Sequence, residues 1–537
     1  MLKKKKKVEV VVEEREDAGR EEKEEDIQED PVSPASGSQV FLHPASSSSS
    51  SSFPSSPTHP SMAIGSTCPR ASNTLFTRIQ QALRSAPLEP MLFLKMLAEG
   101  NFGVVADTQE QDRLCRVNLN FSEYECASWI TDENLTHVKT AVQREQNLFN
   151  YHQSIMDSVL PLAVVLFAGS LSDRHGRKPP MLAVLAGFAI LATVYLLEAL
   201  NPSWPAQVMY AGTLAVDSVG SWVVFNMAVY SYVADITTPE TRTRRLAILD
   251  ATWYIGGPLG RLLGGWLYRV AGYAVVFGLS AGLWLVCFLY VLLLVRESVD
   301  KSALKPEVEK DLGDARWGPL RHVVALCRTA FKVRPAHGRR FLAALVALKL
   351  VVFLVQGHQM YLWAQQVLQW GATEFSTWSS LDSVAHQAGM VAWTWVAGRA
   401  ALHDSLVAAG GVVSIAAWSA LLACITAPQM WWLAVVASVA GMLEPSIEPA
   451  LRTMLTTIVG EGEAGRVLAL VGLLEAAWFL ADRSLYTYLY NAFFVTFPQI
   501  NLVVQAGICA PLLVALLLLW QFLKRRETGA YTLPHQE

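Results

Sequence analysis

Charge is scarce in this 537-residue chain. Asp, Glu, Lys and Arg make up only 17% of it against 52% of apolar residues, and the mean hydropathy is +0.30. That balance excludes an ordinary soluble protein of this size. A Walker-type phosphate loop is also missing, which argues against a nucleotide-driven pump. Gly256-Gly257-Pro258-Leu259-Gly260 fits close helix contact or a pliable helix better than phosphate binding. No residues stand at metal-ligand spacing, so neither a metal nor another cofactor is expected, and neither is an enzyme. Basic runs fall only in the tail and loops, which leaves nucleic acid no platform.

Long apolar segments are abundant. They lie near 88–106, 153–171, 179–200, 206–234, 246–270 and 272–295, and again near 341–363, 376–399, 405–426, 430–459, 464–490 and 497–523. Each is near the ~20 residues that cross a ~30 Å hydrocarbon core. Glu89, Lys95, Glu99 and Asn101 interrupt the first, making it the weakest of the twelve. The 17 Trp suit a chain that meets membrane–water boundaries. The expected fold is therefore an all-α membrane protein of twelve transmembrane helices in two six-helix halves. Its expected units are a cytosolic tail over 1–85, bundles over 86–295 and 341–526, a cytosolic linker over 296–340 and a short tail over 527–537.

The first 85 residues cannot bury a core. Lys3 to Lys7 are basic, Glu13 to Asp30 mainly acidic, and Ser46 to Ser52 form a serine tract among prolines, which reads as a solvated, disordered tail. The basic start is followed by acids rather than an apolar stretch, so no cleavable signal peptide is expected.

Sidedness follows from two separate signals. Between the first two apolar segments stand Cys115, Cys126 and the glycosylation sequons Asn120-Phe121-Ser122 and Asn134-Leu135-Thr136, usable only in a luminal or extracellular loop. A bridge between Cys115 and Cys126 would form in that oxidising compartment. Arg242, Arg244 and Arg245, the 296–340 linker, Arg399 and Lys524 to Arg526 instead mark cytosolic connections. Both signals place both termini in the cytosol. Cys287, Cys424 and Cys509 fall within helices as small apolar side chains.

The most informative loop is Gly169-Ser170-Leu171-Ser172-Asp173-Arg174-His175-Gly176-Arg177-Lys178, set between two apolar segments. Its connector is too short to leave the membrane surface, and Arg174, Arg177 and Lys178 fix it on the cytosolic side. This loop resembles the signature hinge of the major facilitator superfamily. Glu89-Pro90 with Phe93-Leu94, the external cysteines, Val233-Ala234-Asp235-Ile236 through Arg242-Thr243-Arg244, and Leu263-Gly264-Gly265 with Gly272-Tyr273 narrow the resemblance. Over about residues 86–525 the chain resembles the proton-coupled folate transporter family of solute carriers. The resemblance implies passage of anionic organic solutes (folate-like, conjugated-steroid or muropeptide-like) through a multi-pass protein of a plasma or endolysosomal membrane, with protons as the coupling ion. A proton-coupled exporter and a non-transporting receptor or scaffold are the alternatives.

An ionisable group inside a membrane costs ~2.5–3.5 kcal/mol and marks a pathway or a partner. Asp250 lies just beyond the Arg242 to Arg245 cluster, and Arg261 stands three helical turns later on nearly the same face. Asp250 is either a site that takes up and releases a proton, the role the resemblance implies, or half of a permanent ion pair. Glu444, Glu448 and Arg452 recur every four residues, a ladder expected on one helix face turned to the central cavity, with Pro445 and Pro449 loosening the backbone. The resemblance implies a functional arginine at Arg452, able to hold an anion by two parallel hydrogen bonds; the alternative is simple neutralisation of Glu448. His358 could titrate near physiological pH but stands about one turn from the position the family would use. Asp217, Glu475, Asp482, Arg483 and Lys349 complete the intramembrane charges, lining the cavity or pairing with one another. The gate is expected in Gly169, Asp173, Arg174, Gly176, Arg177 and Lys178.

Overall fold

The computed structural model describes residues 87–298, 324, 328, 332, 338–355, 359–459 and 464–530. Among them every regular element is a helix. The first bundle comprises α1 (Glu89–Arg113), a short loop helix α2 (Glu123–Ser128), α3 (Thr136–His175), α4 (Lys178–Leu200), α5 (Met209–Asp217), α6 (Ser221–Ile236) and α7 (Pro239–Leu293). The second comprises α8 (Gly338–Phe353), α9 (Met360–Val367), α10 (Ala372–Arg399), α11 (Asp404–Ala423), α12 (Trp431–Ala440), α13 (Ile447–Val459), α14 (Ala464–Phe493) and α15 (Ile500–Ala530).

Interruptions in these helices have local causes. α7 carries two crossings, divided where Gly272 adopts φ 74°, a left-handed conformation that a side chain would strain. Gly220 (φ 94°) and Ser221 (φ 49°) break α5 from α6, and a 3-10 turn over Glu444–Ser446, with Pro445 inside it, separates α12 from α13. Taking these broken pairs, and α8 with α9, as single crossings gives twelve consecutive runs among the described residues. Seven helical stretches there are by length and apolarity able to cross a membrane, and one of these, Ile248–Leu293, holds both crossings of α7. Runs such as α1 and α14 fall short because they carry charge.

The polar residues in the first half of α1 are satisfied internally, which lets the helix form there. Glu89 pairs with Arg245 at 2.9 Å, Lys95 pairs with Glu99, and Asn101 donates to the Val276 carbonyl at 2.9 Å and the Ser280 hydroxyl at 2.8 Å. The Lys95 ammonium, fully buried, also sits 4.9–5.3 Å from the rings of Phe188, Phe225 and Trp253. α1 can approach α7 this closely because glycines face it: a Cβ at Gly256 or Gly260 would collide with the backbone of α1 around Phe93 and Leu97. This is the close helix contact expected for the Gly256 to Gly260 run.

Each bundle has its own apolar core. One gathers Leu92, Val184, Phe225, Trp284 and Val291; the other gathers Leu345, Val412, Leu422, Leu451 and Leu512. Large apolar side chains such as Leu171, Trp222, Val270, Val391 and Leu518 instead point outward, as a surface facing acyl chains requires. The loop between α1 and α3 is shorter than expected, because α1 runs on to Arg113 and α3 begins at Thr136, well before 153. It is tied by a Cys115–Cys126 disulfide with Cα atoms 5.8 Å apart. In α2 the Ser122 hydroxyl caps the Glu125 amide, while the Ser122 N–H and hydroxyl donate to the Glu125 carboxylate at 2.8 and 2.7 Å. These donors hold the Glu125 carboxyl below the usual carboxylate range.

Candidate functional site

The loop with the disulfide lies at one end of the bundles and the Gly169 to Lys178 loop at the other. Near the disulfide end the bundles bond directly to each other. Gln111 and Gln365 exchange amide hydrogen bonds at 2.9 and 2.7 Å, and the Thr108 hydroxyl meets the Tyr361 hydroxyl at 2.9 Å. Gln143 donates to the Leu362 carbonyl at 3.2 Å, Asn147 to the Thr487 carbonyl at 3.1 Å and the Asn491 side chain at 3.0 Å, and Lys139 to the Gln366 carbonyl at 3.2 Å. The Arg261–Ser383 hydrogen bond joins α7 to α10 farther along.

Beneath that seal a cavity of about 360 Å³ opens between the bundles. α1 and α3 contribute Asp107, Gln153 and Asp157, while α9 contributes Tyr361 and α14 contributes Phe479 and Arg483. Behind its wall, Glu110 accepts hydrogen bonds from Tyr195 at 2.5 Å, Gln146 at 2.7 Å and Gln153 at 3.0 Å. That is a carboxylate satisfied by neutral donors. Asp157 lies within electrostatic reach of Asp217, which is fully buried and whose two carboxyl oxygens have no hydrogen-bond partner among the described residues.

Toward the Gly169 to Lys178 end the charges pair within their own bundles. Asp250 accepts a hydrogen bond from Tyr230 at 2.8 Å. Arg261, three turns from Asp250 on nearly the same face, is hydrogen-bonded to Ser383 across the interface. Glu444 stands in the 3-10 turn over Glu444–Ser446, and Glu448 and Arg452 in α13, all three within electrostatic reach of Tyr254 of the first bundle. Glu444 faces His386 at 3.9 Å, which also faces Asp382 at 3.7 Å. Glu448 receives Lys349 at 2.6 Å and Arg452 at 3.3 Å, and Lys349 bridges on to Glu475. Tyr230 and Tyr254 of the first bundle lie within electrostatic reach of Arg452 in the second.

In the hinge loop Gly176 takes φ 105° and ends α3. Arg177 pairs with Asp235 at 3.0 Å and donates to the Ser172 hydroxyl at 3.2 Å, and Lys178 caps the carbonyls of Leu292 and Val295 at 2.7 and 3.0 Å. Gly169 lies within α3. The side chains of Asp173 and Arg174, and all of His358, lie outside the described residues. Asn120 and Asn134 are both exposed in the disulfide loop.

Asp107, Glu110, Asp157, Asp382 and His386 were not singled out from sequence. Asp107 and Glu110 sit beyond 106, where the first apolar segment seemed to end. Their signal was the persistence of acid and amide residues at helical spacing (Asp107, Glu110, Gln111) beyond an apolar run.

The family profile described as Major Facilitator Superfamily matches residues 154–481. Among curated proteins, the chain is 23% identical over 443 residues to the Probable peptidoglycan muropeptide transporter SLC46 of Drosophila melanogaster, covering 78% of this chain and 82% of that protein. It is 21% identical to the Lysosomal proton-coupled steroid conjugate and bile acid symporter SLC46A3 of Gallus gallus (81% and 90% covered) and 24% identical to the Proton-coupled folate transporter of Rattus norvegicus (76% and 86% covered). The resemblance to that solute-carrier family therefore stands. Among solved structures, the human organic anion transporter MFSD10 (TETRAN) aligns with TM-score 0.53 and 15% identity over 80% of this chain and 97% of that one. A D-xylose-proton symporter aligns with TM-score 0.56 and 13% identity over 81% and 97%. These last two likenesses concern the fold.

Proposed function

The chain belongs to the major facilitator superfamily, a family of transporters rather than enzymes, and we propose that it moves an organic anion across its membrane by alternating access, driven by protons running down their gradient. One observation carries this reading. A polar cavity between the bundles is walled by ionisable groups from both, and among the described residues the hydrogen bonds and ion pairs that join the bundles lie from the disulfide end down to the level of Arg261. Buried charges that lipid would reject are thereby turned to a route that water can enter.

In this reading the disulfide loop is luminal or extracellular, with Asn120 and Asn134 glycosylated, and both termini are cytosolic. The bundles span 86–295 and 341–526, joined by the cytosolic 296–340 linker and flanked by tails over 1–85 and 527–537. Asp250, which accepts a hydrogen bond from the Tyr230 hydroxyl, is the proton site in this reading. Arg452, its side chain 61% exposed, meets the anion as that anion leaves, exchanging Glu448 for cargo. Glu444, Glu475 and Asp217 line the proton and cargo pathway with Arg261, and Arg177 with Asp235 and Asp173 forms the cytosolic gate. Relatives named for a muropeptide, steroid conjugates and folate support a cargo among such solutes, and a plasma or endolysosomal membrane as the place of residence.

The test is uptake of labelled folate, steroid sulfate and a small muropeptide into cells with and without the protein, at neutral and at acid external pH. Acid-stimulated uptake of at least one cargo is expected, and Asp250→Asn is expected to remove the stimulation. Acid-stimulated loss of preloaded cargo would reverse the direction proposed. No flux of any cargo would leave a receptor or scaffold.

A further inference from the structure

The charges that wall the cavity are held apart. Arg483 makes no hydrogen bond or ion pair among the described residues; its guanidinium lies over the Phe479 ring at 4.9 Å, and its Nε is buried without a partner. Arg483 lies within electrostatic reach of its chain neighbour Asp482 and of Asp157 and Asp107, which line the same cavity, yet neither of the latter two comes within the 4.0 Å of an ion pair with it. Asp107 accepts no hydrogen bond among the described residues, and Asp157 faces the buried carboxyl of Asp217. Glu110, beside them, is fully served by Tyr195, Gln146 and Gln153.

A purely structural role for these three residues would favour closure into a forked guanidinium–carboxylate pair, because separated charges in a low-dielectric site are costly. A simple anion would satisfy Arg483 but bring a like charge toward Asp107 and Asp157. A molecule carrying an acidic group and a protonated amine satisfies both walls at once. The cavity, at about 360 Å³, is near the lower end of small-molecule sites and suits one end of such a molecule.

Resting on the transport reading above, we propose that the cargo is zwitterionic: its acidic group docks on Arg483 and its ammonium group on Asp107 and Asp157, so that the protein takes solutes with an amino-acid-like or peptide-like end. The neighbouring amides of Gln153 and Asn150 then serve the uncharged polar groups between the two ends.

The test uses the full chain in proteoliposomes, in counterflow without a pH gradient, so that binding and passage are read apart from proton drive. The probes are alanyl-glutamine, N-acetyl-alanyl-glutamine, which keeps the acid and loses the charged amine, and estrone sulfate, an anion with no amine. Alanyl-glutamine is expected to exchange at least about tenfold faster than its acetylated form. Asp107→Asn and Asp157→Asn are expected to bring that ratio toward one, whereas Arg483→Gln removes exchange of both dipeptides and Arg483→Lys restores part of it. The restoration separates an anion contact from a folding defect. Equal exchange of the two dipeptides by the unaltered protein, or a ratio unmoved by both carboxamide variants, overturns the proposal. Exchange of estrone sulfate without alanyl-glutamine overturns it too and keeps the transport reading. No exchange of any probe overturns both.

Discussion

At the disulfide end the bundles grip each other through amides, hydroxyls and carbonyls, whereas at the hinge-loop end the ion pairs found among the described residues close within one bundle. The Gln111–Gln365 exchange, the Thr108–Tyr361 contact and the Asn147 bonds are neutral and short, and Lys139 is the one cation among them. Arg177–Asp235, Arg245–Glu89, and Lys349 with Glu448 and Glu475 all close within a bundle. The difference teaches how such an interface can open. Neutral interhelical bonds in membranes are worth about 0.6 kcal/mol each, so a row of them closes firmly but releases piecemeal. Ion pairs confined to one bundle keep that bundle rigid while the halves rock, and they avoid stranding a charge when the halves part.

The strongest way to break this comparison is to lock the neutral seam. Cysteines replacing Gln111 and Gln365, bridged by a short reducible bis-thiol reagent, are expected to abolish uptake, and reduction is expected to restore it. Uptake that survives the bridge would mean that the seam never opens.

Next in size is removal of a within-bundle charge. Lys349→Ala leaves Glu448 and Glu475 without their common cation and is expected to cost about 3 kcal/mol of stability, seen as a lower midpoint in thermal unfolding of the detergent-solubilised protein. Adding Glu475→Gln to that variant is expected to recover part of the loss. If the single variant is as stable as the parent, the bundle does not depend on the pair.

A smaller change sharpens the contrast. Gln365→Ala removes one neutral bond from the seam and is expected to raise the labelling rate of a cysteine placed at Asn150 by about threefold, the equivalent of about 0.6 kcal/mol. Arg177→Ala, which breaks a pair inside one bundle, is expected to leave that rate at the disulfide end nearly unchanged.

The smallest effect concerns the loop above the seam. Because the Ser122 donors hold Glu125 below the usual carboxylate range, the cap is fully present above that range and is lost only as pH falls through the lowered value. Hydrogen exchange of the Ser122 and Glu125 amides is therefore expected to stay slow in mildly acid medium, and to quicken there in Ser122→Ala.

Much of the fold was legible in the sequence because hydrophobic runs and membrane thickness are commensurate. The segments near 179–200 and 405–426 became α4 (Lys178–Leu200) and α11 (Asp404–Ala423) nearly residue for residue. The first helix was harder to read, since Lys95 and Glu99 look like interruptions until each is seen to neutralise the other one turn away. The charged ladder was legible in its residues but not in its partners, since Glu444 faces His386 and Glu448 holds Lys349, both from other helices. The cavity wall was the least legible part. Asp107, Asp157 and Arg483 come from α1, α3 and α14, and only tertiary packing brings them to one place.

The most direct test of the rocking-bundle account is a pair of spin-label distances in the full chain in lipid nanodiscs. One joins cysteines at Ser203 and Thr426, near the disulfide end of each bundle, and the other joins cysteines at His175 and Ala401, near the hinge-loop end. On passing from neutral to acid medium the two distances are predicted to change with opposite signs. Distances that stay fixed, or that lengthen together, would contradict alternating access through this interface.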